Sequence, residues 1–124
     1  MFSQQHVGKE GEKLARHFLE RQGYEIIITN WRHHHLEIDI VAQKNNILHI
    51  VEVKTLQGTA GFPEESVNYG KFINLQRAAE AFMNQFPHWT MLQFDIISVT
   101  LAKGNEPAIL FIEEIGRASC RERV

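Results

Sequence analysis

The chain has 124 residues, a length that a single folded domain usually accounts for. Hydrophobic residues make up 44% of it and charged residues 23%, with only 3 prolines and 8 glycines, which excludes collagen-like, low-complexity and disordered proteins. The longest apolar runs contain about five residues, far short of the roughly 20 that a membrane helix needs, and the polar N-terminus does not resemble a signal peptide. We therefore expect one globular, cytoplasmic domain without membrane contact.

The last nine residues, 116–124, have no apolar periodicity and carry three arginines and the single cysteine. We interpret them as a non-native or disordered tail, so that residues 1–115 form the predicted domain. Without the tail, Lys and Arg fall from 13 to 10 and Asp and Glu from 15 to 14, and the net charge changes from −2 to −4. An acidic domain without cysteine excludes disulfides, thiol catalysis and binding to nucleic acid through positive charge alone. Any activity on nucleic acid requires a local site.

Hydrophobic periodicity predicts seven elements in the order αβββαββ. Two helices are expected, one over residues 6–22 and one that begins between residues 64 and 70 and ends at residue 86. Five strands are expected, over residues 24–29, 36–43, 47–55, 91–101 and 108–115. Three consecutive strands between two helices predict an α/β or α+β sandwich, with a mixed central sheet flanked by helices.

The turn between the second and third strands predicts how these strands pair. Residues 45 and 46 are both Asn, which tolerates the positive φ of a two-residue hairpin turn. The resulting register, continued outward, places Asp39 opposite Glu52 and Glu37 opposite Lys54. All four side chains would then share one face of the sheet.

Two carboxylates opposite each other on neighbouring strands lie about 5 Å apart and repel by roughly 3 kcal/mol at an effective dielectric near 20. A divalent cation would relieve the repulsion. Mg²⁺ suits Asp39 and Glu52, because it takes one or two carboxylates and completes its shell with water and phosphate oxygens. Lys54 would orient or deprotonate an attacking water and neutralise charge on the phosphoryl group. The alternative is a solvated hairpin face with a Glu37–Lys54 ion pair.

Asp39 and the strand at residues 50–54, within this element order, resemble the PD-(D/E)xK superfamily of restriction-endonuclease-like nucleases. More narrowly, the chain resembles the YraN-like proteins, a family predicted to contain endonucleases and similar to Holliday junction resolvases. Leu56 stands where that family often has a basic residue. The resemblance covers about residues 4–113 and rests on GKEGEKLA (8–15), GY (23–24), NWR (30–32), EIDI (37–40), VEVKT (51–55) and PEESV (63–67) ahead of Lys71.

The resemblance implies a restriction-endonuclease-like fold and a metal-dependent nuclease that hydrolyses phosphodiester bonds in DNA, including branched, repair or recombination intermediates. Asp39 and Glu52 would bind Mg²⁺ or Mn²⁺, and Lys54 would assist water attack. Glu12 would support the site, as a glutamate on the first helix does in the resolvases. For Glu12, an i,i+4 pair with Arg16 on a solvated helix face is the alternative.

Four basic residues are candidates for contact with the nucleic-acid backbone. Lys9, Lys13 and Arg16 form a basic stripe on the first helix, and Lys71 lies at the edge of the apolar face of the second. Each would meet a phosphate in the functional interpretation. A solvated helix face, or a lysine that reaches from the core edge to solvent, is the ordinary alternative.

Three further features are expected to be structural. The histidines at 33–35 are adjacent and cannot easily converge on one zinc ion, so we predict an exposed loop. Trp31, at a strand end, is expected to pack in the core rather than to stack on a base. Gly8 and Gly11 each cost roughly 1 kcal/mol within a helix, which predicts a close backbone approach there.

Two other classes of function stay open. A non-catalytic nucleic-acid-binding module of the same fold agrees with the acidic charge and with Leu56. A structural interaction domain would require an exposed apolar patch. Pairing into a homodimer would widen the basic surface and is left open as well.

Overall fold

A computed structural model describes residues 4–58, 69–102 and 104–119, and the predicted element order is confirmed. Residues 59–68, where a loop and the start of the second helix were predicted, lie outside the described residues. Within the described ranges, no helix is both long and apolar enough to cross a membrane. The elements are α1 Gln4–Arg21, β1 Glu25–His33, β2 Leu36–Lys44, β3 Ile47–Gln57, α2 Tyr69–Gln85, β4 Met91–Leu101 and β5 Ala108–Ser119.

The five strands form one mixed sheet in the order β1-β2-β3-β4-β5. β1, β2 and β3 are antiparallel neighbours, β3 and β4 are parallel, and β4 and β5 are antiparallel. The parallel pair needs a crossover connection, and α2 lies in it. The predicted mixed sheet flanked by helices is therefore confirmed.

The two helices cover opposite faces of this sheet. On β3, Leu48 and Ile50 pack in a core with α2, whereas Val51 packs in a second core with α1. Side chains alternate between the faces of a strand, so β3 is buried on both sides. The α2-side core contains Trp31, Ile38, Val41, Leu48, Ile50, Leu75, Ala78, Ala79, Phe82, Met83, Leu92 and Phe94. The α1-side core contains Ala15, Leu19, Tyr24, Ile40, Ala42, Val51, Ile97 and Val99.

β1 is longer than predicted. Its end was predicted at residue 29, whereas the strand continues to His33. Trp31 is buried, and its ring meets that of Phe82 edge-on at 5.4 Å. Burial of the indole therefore keeps the chain extended beyond Asn30. Asn30 itself has a φ of 53°, so the asparagine marks a kink within the strand rather than its end. The expected packing role of Trp31 is confirmed, and only residues 34 and 35 form the turn.

β5 also extends beyond its predicted end at residue 115. Residues 116–119 pair with residues 91–94 of β4. Because β4 begins at Met91, its first residues offer backbone partners to this end of β5. The disordered alternative is thus wrong for residues 116–119, and the non-native alternative stays a prediction. Residues 120–124 lie outside the described ranges.

Candidate functional site

The predicted register between β2 and β3 is confirmed in the inner part of the hairpin. Pairs run from Lys44↔Ile47 to Ile40↔Val51, and residues 45 and 46 both have positive φ. The ladder of paired residues ends there. The next position, where residue 39 would face residue 52, is not joined by backbone pairing.

Asp39 replaces that backbone pair with a contact from its side chain. Its Oδ2 accepts a 2.8 Å hydrogen bond from the backbone N–H of Val53 on β3. Ile38 packs in the α2-side core and Ile40 in the α1-side core, although a regular strand would put both on one face. β2 therefore bends at Asp39. The bend places the carboxylate beside the point where β3 changes from apolar to polar.

The predicted position of Glu37 opposite Lys54 is wrong. Glu37 pairs with Arg32 of β1, and its carboxylate lies 3.6 Å from the Arg32 guanidinium. Beyond Asp39, β2 keeps its pairing with β1 and no longer pairs with β3, which explains the change of partner. The side chains of Arg32 and Glu37 are 73% and 40% exposed, so this ion pair contributes under about 1 kcal/mol to stability.

The four predicted catalytic residues, Glu12, Asp39, Glu52 and Lys54, line one cleft of about 780 Å³. They come from three elements, α1, β2 and β3. β3 holds Glu52 and Lys54 rigidly, because it stays paired with β4 as far as Gln57. The geometry thus brings together the acids and the lysine that the sequence separates by up to 42 positions.

The four predicted phosphate-binding residues divide into two pairs. Lys9 and Lys71 line the same cleft as the catalytic candidates. Lys13 and Arg16 do not line it: Lys13 is exposed, and the buried Nε of Arg16 has no hydrogen-bond partner among the described residues. Contact between this cleft and a nucleic-acid backbone would therefore involve the beginning of each helix.

α1 reaches the cleft through a close approach at Gly11. A Cβ on Gly11 would overlap the side chain of Thr55, directly after Lys54 on β3, whereas a Cβ on Gly8 would meet nothing within 4 Å. The predicted close approach is confirmed for Gly11 and wrong for Gly8. Because Gly11 is fixed against β3, Glu12 is held at the edge of the cleft.

Burial and neighbouring acids make Asp39 hard to ionise. Burial, and after it the charge of Glu52, raises the pKa of Asp39 from 3.8 to about 7. The hydrogen bond from Val53 opposes the shift, while Glu37 and Glu12 add smaller contributions in the raising direction. At neutral pH the site therefore favours a proton or a cation beside Asp39.

Glu52 lies in a similar environment with two basic neighbours. Burial raises its pKa, Lys71 opposes this rise, Glu37 adds to it, and Lys54 opposes it. The two lysines thus stabilise the ionised form of Glu52. Among the described residues, no basic side chain acts in this way on Asp39, so Asp39 lacks the compensation that Glu52 has.

A profile of the family described as "Uncharacterised protein family UPF0102" matches residues 11–99. A UPF0102 protein of Bacteroides thetaiotaomicron is 47% identical over 80% of this chain and 83% of its own length. This chain belongs to the UPF0102 family. Another UPF0102 protein, from Parabacteroides distasonis, is 37% identical over 98% of this chain and 100% of its own length. A third, from Rhodococcus opacus, is 33% identical over 87% and 93%.

The UPF0102 match includes every catalytic candidate of the cleft. It also includes residues to which the sequence assigned no role, among them Asn30, Arg32, Thr55 and Gln57, which line the same cleft. A polar asparagine among the β-branched residues of β1 was the available signal for Asn30. The match thus covers the cleft apart from the residues of α1 before Gly11, among them Lys9.

Proposed function

We propose that this UPF0102 protein is a divalent-metal-dependent nuclease that hydrolyses phosphodiester bonds in DNA. The supporting observation is that Asp39 and Glu52, both with raised pKa, line one open cleft with Lys54. Partly buried acids destabilise a small domain unless something relieves their repulsion. Perturbed carboxyls beside a basic residue in a cleft are typical of an active site.

Mg²⁺ or Mn²⁺ is the cofactor that fits these residues. The donors are carboxylate oxygens, which hard divalent cations prefer. Among the described residues, no set of three or more His, Cys, Asp or Glu side chains forms a metal-binding group, which disfavours a closed structural site. Two carboxylates in an open cleft leave room for water and substrate oxygens. When bound, the cation would polarise the phosphate and favour ionisation of a water.

The protein's own groups would supply the remaining chemistry. Lys54 would orient or deprotonate the attacking water and neutralise developing charge on the phosphoryl group. Lys71 and Lys9 would hold flanking phosphates, since both line the cleft. The bond from the Val53 N–H holds the Asp39 carboxylate in one orientation.

The element order supports assignment to the PD-(D/E)xK superfamily. Asp39 at the bend of β2 and the Glu52-Val53-Lys54 segment of β3 line one cleft, as this proposal requires. Branched repair or recombination intermediates are the proposed substrates, by the same resemblance.

A cleavage assay tests the proposal directly. Labelled branched, nicked and linear DNA is incubated with the protein in Mg²⁺, Mn²⁺ or EDTA. We expect cleavage that requires the metal, with branched DNA preferred. Lys54→Ala should reduce the rate by about 10²–10⁴-fold while calorimetry shows unchanged Mn²⁺ binding, because lysine offers a cation no ligand atom. Arg77→Ala is the matched control, since Arg77 is exposed on α2 and does not line the cleft.

A non-catalytic nucleic-acid-binding module is the second candidate. Leu56 favours it, because this apolar residue lines the cleft where a basic side chain would add a phosphate contact. DNA binding without cleavage of any substrate, in either metal, would support this candidate. Loss of Mn²⁺ binding in a folded Lys54→Ala variant would instead contradict the role given to Lys54.

A further inference from the structure

Asn30 combines a strained backbone with a side-chain contact to another element. It lies within β1 but has a φ of 53°, in the left-handed region that few residues other than Gly, Asn and Asp adopt. Its Nδ2 donates a 2.6 Å hydrogen bond to Oε1 of Glu12 on α1. Strained residues of this kind occur often at functional sites.

The kink at Asn30 faces the bend at Asp39. Continuing the pairing of Thr29 with Ile40 by one residue places Asn30 opposite Asp39, and these two residues are not paired with each other. β1 and β2 therefore depart from regular geometry at the same point of the sheet. At this point the Asp39 side chain bonds to β3, and the Asn30 side-chain amide bonds to Glu12 on α1.

The Asn30 amide restricts a side chain that would otherwise be mobile. Gly11 fixes the backbone of α1 against Thr55, but a glutamate has three side-chain torsions and loses considerable entropy when it is held in one conformation. The bond to Asn30 selects one conformation of Glu12. Both residues line the cleft with Asp39 and Glu52, and the charge of Glu12 raises the pKa of Asp39, so this conformation keeps the Glu12 carboxylate within electrostatic reach of Asp39.

We propose that Asn30 is a positioning residue, which holds the Glu12 carboxylate at the cleft that Asp39 and Glu52 line, so that Glu12 supports the divalent cation there. This inference rests on the proposed metal-dependent function. It assigns the side chain of Asn30 a role separate from that of its backbone. Residues that orient a metal site from outside typically change metal affinity or activity by about 10–100-fold when they are replaced.

Glycine separates the two roles of Asn30, since it adopts positive φ readily and lacks the amide. Asn30→Gly should weaken Mn²⁺ binding, measured by calorimetry on the protein without DNA, by about 10-fold. Asn45→Gly is the matched control, because Asn45 has a φ of 54° in the exposed β2–β3 turn and does not line the cleft. Its Mn²⁺ affinity should equal that of the wild type.

A double-mutant cycle tests whether Asn30 acts through Glu12. In a Glu12→Ala background, Asn30→Gly should cause no further loss of Mn²⁺ affinity, whereas a general structural role would give additive losses. Unchanged affinity in the single variant, additive losses, or a wild type that does not bind Mn²⁺ would each overturn the inference. DNA cleavage is measured on the same variants. If the Mn²⁺ affinities of the Asn30 and Glu12 variants are coupled but no DNA is cleaved, the positioning role stands and the nuclease proposal is contradicted. If DNA is cleaved but the affinities are not coupled, the nuclease proposal stands and the positioning role is contradicted.

Discussion

Two aspartates lie inside the same sheet in opposite environments. Asp95 on β4 is 0% exposed, and its Oδ2 lies 2.6 Å from Nδ1 of His49, where a protonated Nδ1 donates to the carboxylate. Its Oδ1 accepts hydrogen bonds from Nε2 of Gln93 at 2.8 Å and from the backbone N–H of Glu114 at 2.7 Å. Asp95 thus has three donors.

Asp39, in contrast, has one described donor, the N–H of Val53, and three acids that raise its pKa together with burial. A buried carboxylate that is fully hydrogen-bonded stabilises a particular fold, whereas one surrounded by acids destabilises it. The fold thus satisfies the carboxylate of Asp95 with donors and leaves that of Asp39 beside repelling acids, which supports the role proposed for Asp39 in the cleft. Asp39 opens on a cleft, and the Asp95 network is closed over by the ring of Tyr24, which meets His49 edge-on at 4.8 Å.

The largest effect on stability is expected at Asp95. Asp95→Asn removes the carboxylate charge and replaces one acceptor oxygen with a donor, so the three donors around Asp95 are left with one acceptor oxygen. We expect a loss of about 3 kcal/mol in the free energy of unfolding, measured by urea denaturation. The Mn²⁺ affinity of the folded variant should be unchanged. A neutral effect on stability would show that the network does not hold the core together.

Asp39→Asn should change stability in the opposite direction. Removing the charge relieves repulsion by Glu52, and the remaining Oδ1 can still accept the bond from Val53. Since water in the cleft screens the charge, we expect a gain on the order of 2 kcal/mol at pH 8 without metal. Millimolar Mg²⁺ or Mn²⁺ should raise the melting temperature of the wild type and leave that of the variant unchanged. Destabilisation by Asp39→Asn, with a wild type indifferent to metal, would remove the metal-site interpretation.

The pH dependence of stability provides a third comparison. Unfolded Asp39 releases its proton near pH 4, whereas its folded pKa is about 7, so the folded state binds more protons between these values. Stability conferred by this group is therefore fully present below about pH 4 and is lost as pH rises toward 7. Glu52 acts in the same direction.

We expect the stability gain of Asp39→Asn over the wild type to grow across pH 4–7 and to level off above it. Urea titrations at several pH values without metal measure the difference in the free energy of unfolding between the two proteins. The contribution of the histidines, which both proteins share, cancels in this difference. A gain that is constant across this range would mean that Asp39 ionises normally in the folded protein.

The sequence was sufficient for the element order and for the inner register of the β2–β3 hairpin. Periodicity identifies helices and strands when both faces of a sheet are buried, and two asparagines at a turn leave few alternatives for pairing. It was also sufficient to bring Asp39, Glu52 and Lys54 together, because these residues lie on neighbouring strands. The predicted nuclease activity itself stays a proposal.

The errors have one physical cause, since each depends on contacts between distant parts of the chain. The partner of Glu37 changed because the bend of β2 is set by packing in both cores. The end of β1 was misplaced because burial of Trp31 outweighs the local preference of Asn30. The Asp95–His49 pair was missed altogether, since 46 positions separate its members and no local pattern marks them.

The smallest expected effects concern how α1 carries Glu12 to the cleft. Gly8 and Gly11 lie three residues apart in one helix, so both substitutions to alanine gain the same helix propensity, about 1 kcal/mol. At Gly11 the added methyl group overlaps Thr55, which should reverse the gain and give a net loss of about 1–2 kcal/mol. Gly8→Ala should stabilise the protein, since its methyl group meets nothing within 4 Å.

Urea denaturation of the two variants measures this difference, and Mn²⁺ affinity reports its consequence for the site. Gly11→Ala should weaken Mn²⁺ binding, because moving α1 away from β3 also moves Glu12 away from Asp39. Gly8→Ala should leave the affinity unchanged and controls for helix propensity. Equal stabilisation by both substitutions would mean that α1 is not held closely against Thr55, and the position of Glu12 would then need another cause.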